Sequence, residues 1–397
     1  MNAVQALAPL FGPAFDTDPH ATYRWLRTQG PVVPVLLTAP FPGCPQGITG
    51  WLVLDYDVAL HLLRDERTWS KDPRPWESTL PQQHPLWPML GHRPNVLFTD
   101  APEHTRLRQV ITDSLSMVDA GRLREDVRHL ADQLISRFRA DGHADLIGQY
   151  TVQLPGLVFN RLFGGEDYGP ALVAALAGML DADPQKAGAA GAAFMDYVAK
   201  IIAAKQQRRG PDLASWYLDH PGSRSVEEVT HQVVLTLGAA LEPTANLIGN
   251  ASWRILAYRG RFADLANGSV AARTAIEEVL YLDPPMANYG AHYARFPVDF
   301  YGALIDPAQP VLISYAAING QLETTPGSGG AHLAWSAGPH ACPARQPAML
   351  MAITAVERLI NAFGDLELAI PTEQLQWRPG LFQRALTHLP VTFAPQR

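Results

Sequence analysis

Hydrophobic residues recur at intervals of three and four along much of the chain, the spacing of a helix with one buried face. This spacing predicts helices over 21–27, 56–64 and 346–360. The alanine-rich stretch 170–204 predicts closely packed helices, and the apolar run from Trp51 predicts a short strand. We therefore predict a mainly helical protein with a few strands near each end.

Residues 71–99 break this regularity. They hold six prolines and two tryptophans, which favours a long irregular loop: Pro73, Pro75, Pro81, Pro85, Pro88 and Pro94, with Trp76 and Trp87. The tryptophans could form flat walls for an aromatic ligand, or they could be buried and hold the loop down. Both interpretations stay open at this point.

Length and composition favour one large domain over residues 1–397. No linker, repeat or low-complexity tract divides the 397 residues, and 47% hydrophobic against 17% charged residues can fill a sizeable core. A net charge of −7 gives no support for nucleic-acid binding. No apolar run reaches the ~18 residues of a membrane span, and the first residues lack signal-peptide features. We expect a soluble, cytoplasmic monomer without a disulfide framework.

One of the two cysteines, Cys342, lies in a loop interrupted by glycine and proline, just before the helix predicted over 346–360. Backbone N–H groups and the helix dipole at such a position favour a thiolate, which is a good metal ligand. A cysteine in a loop of this kind is more often an inert thiol, so the residue alone leaves both roles open.

The surrounding loop resembles the haem-binding loop of the cytochrome P450 family. Trp335, Gly338, His340 and Cys342 fall in step with its aromatic-Gly-x-Gly-x-His-x-Cys-x-Gly pattern, with departures at Ser336, Pro343 and Ala344. The resemblance implies the P450 fold, a helical bundle around haem with small β-sheets. It also implies haem b as cofactor and Cys342 as the axial ligand of its iron.

Further segments resemble the family in the right order. The stretch 101–108 is similar to its C helix, 235–248 to its long I helix and 275–285 to its K helix, while 375–382 and 389–393 match its terminal strands. The resemblance implies four partners for the haem propionates: His104, Arg108, His292 and His340. His292 stands where the family often has an arginine, and it is the weaker, pH-dependent cation.

The I-helix segment departs from the family at the residues that relay protons to dioxygen. Glu242 stands at the acidic position, but Pro243 replaces the threonine. A proline has neither hydroxyl nor N–H, so it cannot pass a proton, and it leaves the Ala239 carbonyl without its helical donor. Thr244, one residue on, is rotated by about 100°. We take these four residues as the catalytic candidates.

A second departure concerns the K helix, whose Glu-x-x-Arg set includes two arginines in the family. Here Glu278, Tyr281 and Asn319 take the corresponding positions, which removes both cations. Because a buried carboxylate without a cation is costly, we predict that Tyr281 and Asn319 donate hydrogen bonds to Glu278. The segment 319–333 is also expected to be short and flexible.

Family position alone assigns the substrate contacts, and it makes the loop 71–99 the segment that covers the substrate. The expected contacts come from three segments: Leu235, Met286, Ala287, Tyr289 and Phe382. Electrons should come from a ferredoxin and its reductase, since the chain has no flavin or iron–sulfur segment of its own.

Three functions remain open. The first is radical C–C or C–N coupling of aromatic substrates, such as tryptophan-containing cyclic dipeptides, in secondary metabolism and without oxygen insertion. The second is a monooxygenase that hydroxylates a natural product. The third is a haem protein without turnover. The missing threonine and the tryptophan-rich loop favour the first.

Overall fold

The computed structural model describes residues 7–82, 84–165, 169–179, 184–263, 268–322 and 330–396. They form two compact units, each built from three separate segments of the chain. Unit 1 comprises the residues up to His104, Leu280–Cys342 and Trp377–Arg384. Unit 2 comprises Thr105–Val279, Pro343–Gln376 and the residues from Ala385 onward. The single domain over 1–397 stays a prediction.

Helices make up most of the described residues. In chain order they are α1 Pro13–Thr17, α2 Pro19–Arg27, α3 Tyr56–Arg64, α4 Arg74–Glu77, α5 Trp87–Leu90, α6 Glu103–Ser116, α7 Ala120–Ser136, α8 Gln153–Leu162, α9 Gly169–Met179, α10 Pro184–Gln207, α11 Leu213–Asp219, α12 Val226–Ala257, α13 Arg259–Ala263, α14 Gly268–Leu282, α15 Tyr315–Leu322 and α16 Arg345–Ala362. Short 3-10 segments lie at Val96–Phe98 and Thr372–Gln374, and a π-helical turn lies at Ile147–Thr151.

The strands are short. They are β1 Ala8–Pro9, β2 Val32–Leu36, β3 Thr49–Val53, β4 Trp69–Ser70, β5 His143–Asp145, β6 Asn288–Ala294, β7 Val298–Phe300, β8 Ala303–Ile305, β9 Pro310–Ser314, β10 Glu367–Leu368 and β11 Pro390–Thr392. Unit 1 holds a six-stranded sheet of order β1-β2-β3-β9-β6-β4 and the hairpin β7-β8. Unit 2 holds the three-stranded sheet β10-β11-β5.

The six-stranded sheet of unit 1 is buried on both faces at its centre. Strand β9 pairs parallel to β3 and antiparallel to β6, and all five of its residues are buried. Because side chains alternate along a strand, Leu312 joins the apolar cluster on one face, while Val311 and Ile313 join the cluster on the other. The continuous apolar run of β9 follows from this two-sided burial.

Unit 2 is built around α7, α8, α12 and α16. Buried residues repeat every three or four positions on these helices, as Ala352, Val356 and Leu359 do on α16. The buried Tyr150 hydroxyl donates to the Ala355 carbonyl at 2.7 Å. Ser225 caps the start of helix α12, because its hydroxyl oxygen accepts from the Glu228 N–H at 3.1 Å.

The structure confirms a mainly helical fold with small sheets. The predicted helices correspond to α2, α3 and α16, the strand to β3, and the alanine-rich stretch to α9 and α10. The loop 71–99 contains the one-turn helices α4 and α5. Of the two segments expected to form terminal strands, only 389–393 contains one, β11; the segment 375–382 forms none, and an isolated bridge joins the following residue, Gln383, to Met286. Among the described helices, none is both long and apolar enough to cross a membrane.

Asn288 provides a test of the packing in unit 1. Its fully buried amide donates to the Tyr23 hydroxyl oxygen at 2.8 Å and to the Leu381 carbonyl at 2.6 Å. Replacing Asn288 by Leu leaves both acceptors buried without a donor, so we expect a loss of about 2 kcal/mol in the free energy of unfolding. Chemical denaturation measures it. The exposed Thr28→Val change should cost under about 0.5 kcal/mol, and an equal loss in both variants would contradict this account.

Candidate haem-binding site

The loop that carries Cys342 is a tight turn held by its own backbone. The Cys342 N–H donates to the Trp335 carbonyl at 2.8 Å, and the Ala341 N–H to the Gly338 carbonyl at 3.1 Å. Gly338 has φ 70°, and a Cβ there would lie 2.1 Å from the Leu63 carbonyl oxygen of α3. Only glycine fits this position. The loop therefore ends in a half-buried thiol that forms no disulfide within the described residues.

Ser336, one of the departures from the haem-loop pattern, has an unusual backbone conformation. It adopts φ 60°, a left-handed conformation that favours glycine, where the family pattern has glycine. Its hydroxyl accepts a hydrogen bond from the buried Tyr315 hydroxyl at 3.1 Å. This contact helps to hold a non-glycine residue in a conformation that costs of order 1 kcal/mol or more.

Two of the predicted propionate partners lie together in unit 1. The rings of His104 and His340 stack with centroids 3.9 Å apart and planes inclined by 34°. His104 is buried, and its backbone N–H donates to the Asp100 carbonyl at 2.9 Å at the start of α6. Arg108, a third candidate, follows one turn later in the same helix and is half-buried.

The fourth candidate, His292, is buried on β6 beside a lysine that the sequence did not single out. His292 Nδ1 lies 2.5 Å from the Gly290 carbonyl oxygen. Burial, and then the charge of Lys71, lower the pKa of His292 well below its usual value. Lys71 Nζ donates to the Ala291 carbonyl at 2.6 Å, and burial lowers the pKa of Lys71 to about 7. The signal for Lys71 was weak, since it lies in the proline-rich loop.

Helix α12 of unit 2 carries the catalytic candidates and continues through Pro243. Ala239 is exposed, Leu235, Glu242 and Pro243 are half-buried, and Thr244 is 4% exposed. Thr244 is therefore buried in the protein interior, whereas the two residues before it, Glu242 and Pro243, remain partly exposed. The predicted rotation of Thr244 away from them agrees with this burial.

The prediction that Glu278 lacks a cation is wrong. Within unit 2, Arg254 Nε of α12 lies 3.0 Å from Glu278 Oε2 of α14, and both side chains are about nine-tenths buried. The guanidinium also lies 5.7 Å from the ring centroids of Trp253 and Tyr258. A cation from a neighbouring helix thus replaces the two that the sequence lacks. The motif could not reveal it, because Arg254 is 24 positions away.

Tyr281 and Asn319 instead hold backbone in unit 1. The Tyr281 hydroxyl oxygen accepts from the Ala331 N–H at 3.1 Å. The Asn319 amide donates to the Leu280 carbonyl at 3.0 Å and accepts from the Leu333 N–H at 2.7 Å. They therefore fix the start of the cysteine loop. The expected flexibility of 319–333 falls largely on residues 323–329, which lie outside the described residues.

Four expected substrate contacts converge in unit 1. The Ala287 N–H donates to the Phe382 carbonyl at 2.8 Å, and Met286 pairs with the neighbouring Gln383. The Tyr289 and Phe382 rings meet edge to face at 6.0 Å. Leu235, the fifth, lies on α12 of unit 2. Beside Tyr289 is a narrow cleft, lined by Lys71, Leu90, Leu97, Phe98, Tyr289, Ala291 and Tyr293.

The tryptophans of the loop 71–99 differ in burial. Trp76 is 2% exposed, stacks on Tyr293 at 5.8 Å and meets the His84 ring at 5.0 Å. Trp87 is 39% exposed. Trp76 thus matches the interpretation in which the loop is held down by its own buried residues, and Trp87 is left as the aromatic ring that a ligand can reach.

The donor set of unit 1 fits haem. It combines a thiol at the end of a glycine turn, which suits iron, with two stacked histidines and a buried ammonium, which suit carboxylates. Among the described residues no group of three or more His, Cys, Asp or Glu forms a cluster for a bare metal ion. A single cysteine thiolate is one of the protein ligands that haem iron accepts.

Comparisons with known proteins agree with a haem-binding site, because the following relative and solved structures are cytochrome P450 proteins. The cytochrome P450 monooxygenase PikC of Streptomyces venezuelae is 31% identical over 396 residues, which cover 96% of this chain and 92% of the relative. The solved structure of CYP154A1 from Streptomyces coelicolor A3(2) is 27% identical, with a TM-score of 0.79 over 98% of this chain and all of the other. CxnD, solved as the P450 enzyme for C–S bond formation in chuangxinmycin biosynthesis, has a TM-score of 0.80 at 24% identity and covers both chains fully. No protein-family model matches the sequence.

The chain therefore belongs to the cytochrome P450 family. It is an oxidoreductase with haem b as cofactor, and it is similar to P450 enzymes of bacterial secondary metabolism.

Replacing Cys342 by Ser tests the ligand assignment. A serine oxygen cannot donate electrons as a thiolate does, so the reduced, carbon monoxide-bound protein should lose the absorption band that gives the family its name. Difference spectra measure this. Cys44→Ser, the matched control, should keep the band, because Cys44 donates from its thiol to the Gly47 carbonyl in a separate loop. A Cys342→Ser protein that retains the band refutes the assignment.

The buried pair of Arg254 and Glu278 gives a stability prediction. Arg254→Met leaves a buried carboxylate without its cation, so unfolding should become easier by about 3–5 kcal/mol. The double change Arg254→Met with Glu278→Leu should recover most of that loss, because no charge remains buried. Arg358→Met, which breaks the more exposed pair with Asp132, should cost under about 1 kcal/mol. Equal losses in the single and double variants of the buried pair would show that no ion pair is present.

Proposed function

We propose that this P450 couples two aromatic units of a secondary metabolite through a new C–C or C–N bond and inserts no oxygen. The observation that carries the proposal is Pro243, at the position where oxygen-inserting members of the family have a threonine. Thr244 is 4% exposed and does not replace that hydroxyl. Coupling still needs protons delivered to dioxygen, which Glu242 or an ordered water would supply, and its outcome depends chiefly on hydrogen removal and a well-placed second ring.

The reaction balances with dioxygen as oxidant. Two substrate hydrogens are lost and one bond forms, while dioxygen takes two electrons from the substrates, two from outside and two further protons to give two waters. When bound, haem supplies the activation of dioxygen and the abstraction of hydrogen. The two outside electrons come from a ferredoxin and its reductase, as is typical of bacterial members.

The residues of α12 define what the chain itself contributes. The Glu242 carboxylate oxygen, half-buried, is the group that holds and passes a proton. Pro243 has no N–H, so the Ala239 carbonyl keeps a lone pair that its helix does not use. That oxygen can accept a hydrogen bond from an indole N–H or a lactam N–H. A substrate oriented in this way presents the same ring position in each turnover.

The substrate side supports an aromatic ligand. Ala287, Tyr289 and Phe382 pack against one apolar cluster of unit 1, with Met286 next to them in the chain. Edge-to-face and stacked contacts with such rings favour flat substrates. A tryptophan-containing cyclic dipeptide has this shape and also offers N–H donors. We propose that the enzyme works on it as a monomer.

Hydroxylation of a natural product is the second candidate, favoured by the monooxygenase PikC among the relatives. In that case the protons would reach dioxygen through ordered water or a substrate hydroxyl near Glu242. Coupling, by contrast, is in keeping with CxnD, a P450 of the same fold whose solved structure is described as an enzyme for C–S bond formation. The two candidate reactions differ in the fate of dioxygen: coupling sends both oxygen atoms to water, whereas hydroxylation puts one of them into the product.

Turnover under isotopically labelled dioxygen distinguishes them. We expect unlabelled coupled product from a tryptophan-containing cyclic dipeptide, with all label in water, by mass spectrometry. Pro243→Thr should retain part of the coupling and add a labelled, hydroxylated by-product, because it supplies a relay hydroxyl. Thr244→Val, the matched control, should leave the product ratio unchanged.

Label in the main product of the native enzyme refutes coupling and supports the monooxygenase. Reducible haem without turnover of any aromatic substrate favours the third function, a haem protein that binds without catalysis.

A further inference from the structure

Lys71 is the buried cation of unit 1 that the family resemblance did not assign. It follows β4, is 6% exposed, and its ammonium donates to the Ala291 carbonyl at 2.6 Å. An ammonium has three donors, and burying its charge is costly unless an anion is present. The position of Lys71 therefore calls for a nearby negative charge.

The neighbouring carboxylate does not meet that need. Asp100 accepts from the Ser70 hydroxyl at 2.5 Å and the Lys71 backbone N–H at 2.9 Å, and it pairs with Arg295 at 2.7 Å. Within the described part of the chain Lys71 forms no ion pair of its own, and Asp100 acts on its charge only from a distance. Arg295 already balances Asp100.

Burial, and then the charge of Lys71, lower the pKa of His292 well below its usual value and so disfavour its cationic form. The Gly290 carbonyl can only accept, so His292 Nδ1 carries the hydrogen at this contact. A neutral His292 then presents Nε2 as an acceptor, which repels a carboxylate oxygen. Lys71, whose ammonium donates to the carbonyl of Ala291 just before His292, is a cation close to the position of the family's arginine.

Lys71 lines a narrow cleft whose apolar walls favour an anion attached to an apolar group. Its other lining residues are aliphatic or aromatic: Leu90, Leu97, Phe98, Tyr289, Ala291 and Tyr293. Lys71 is the charged member of this lining. We propose that Lys71 binds a carboxylate carried on a flat, largely apolar molecule, in place of the arginine missing at position 292. Haem itself, through a propionate, and an aromatic acid substrate are the two sources of such a carboxylate.

The proposal rests on haem binding by the family and not on the coupling reaction. The first experiment measures haem dissociation from the holoenzyme into excess apomyoglobin at pH 7. Lys71→Met should release haem about 10- to 100-fold faster, because a charge-assisted hydrogen bond is lost. Lys71→Arg should remain within a few-fold of native. Arg358→Met, a control that removes a surface cation paired with Asp132, should also stay near native.

The pH profile gives a signature that altered packing would not produce. Without a carboxylate the pKa of Lys71 is about 7, and a bound carboxylate raises it. Below pH 7 the lysine is charged with and without haem, so its contribution to affinity is constant. Above pH 7 haem affinity falls by up to tenfold per pH unit. Lys71→Arg should lack this fall, because its guanidinium stays charged.

His292 and the two tyrosines beside Lys71 do not titrate in that range. The pKa of His292 is well below its usual value, while burial raises the pKa of Tyr289 to about 12 and raises that of Tyr293 well above its usual value. Asp100 also lies near Lys71 and is paired with Arg295. A slope shared by all variants comes from groups other than Lys71. The difference between native and Lys71→Met between pH 7 and 9 isolates the lysine.

A second experiment separates the sources of the carboxylate. Absorption titrations of the holoenzyme compare indole-3-acetate with indole-3-acetamide. If Lys71→Met keeps native haem dissociation but loses the preference for the acid, the site binds a substrate carboxylate. Faster haem loss with unchanged titrations identifies the propionate. If neither quantity changes, or if His292→Gln loses haem faster than Lys71→Met, the proposal is wrong.

Discussion

The close approach of Gly338 to the backbone of α3 is the constraint on which the cysteine loop depends. A hydrogen atom is all that fits against the Leu63 carbonyl, so the chain must turn there with positive φ. The turn brings the Cys342 N–H to the Trp335 carbonyl and places His340 against the His104 ring. The backbone contact at Gly338 thus acts together with the Tyr315–Ser336 and Asn319–Leu333 hydrogen bonds to hold the loop that carries the thiol and His340.

Buried charge follows a common rule in both units. Where the family pattern loses an arginine, a cation from a different element takes over, Arg254 for Glu278 and, by our proposal, Lys71 beside His292. The physical requirement is that a buried charge be balanced, and it does not specify which residue does so. A comparison with the family motif, position by position, therefore suggests that the arginines were lost without replacement. In the folded protein, residues from other elements balance the buried charges.

This distinction sets how much could be predicted from the sequence. Periodicity predicted α2, α3 and α16 because one face of each packs into a core, and the glycine–cysteine spacing predicted the loop because its turn demands those residues. Arg254 was missed because its partner lies 24 positions away and no local pattern connects them. Lys71 was missed because it lies among prolines, where no period applies. The burial of Trp76 also depends on a distant residue, Tyr293.

Pro243 differs from Arg254 and Lys71, because what matters at this position is the missing hydroxyl and N–H and not a contact that the side chain makes. A proline inside a helix costs about 3 kcal/mol, yet α12 runs unbroken for 32 residues. The buried side chains on both sides of it, Leu237, Leu241 and Ile248 among them, offset that cost through tertiary packing. The fold thus tolerates the proline without needing it. Stability does not favour this proline, and by our proposal it reflects a reaction in which both oxygen atoms of dioxygen end in water and protons reach dioxygen through Glu242 or an ordered water.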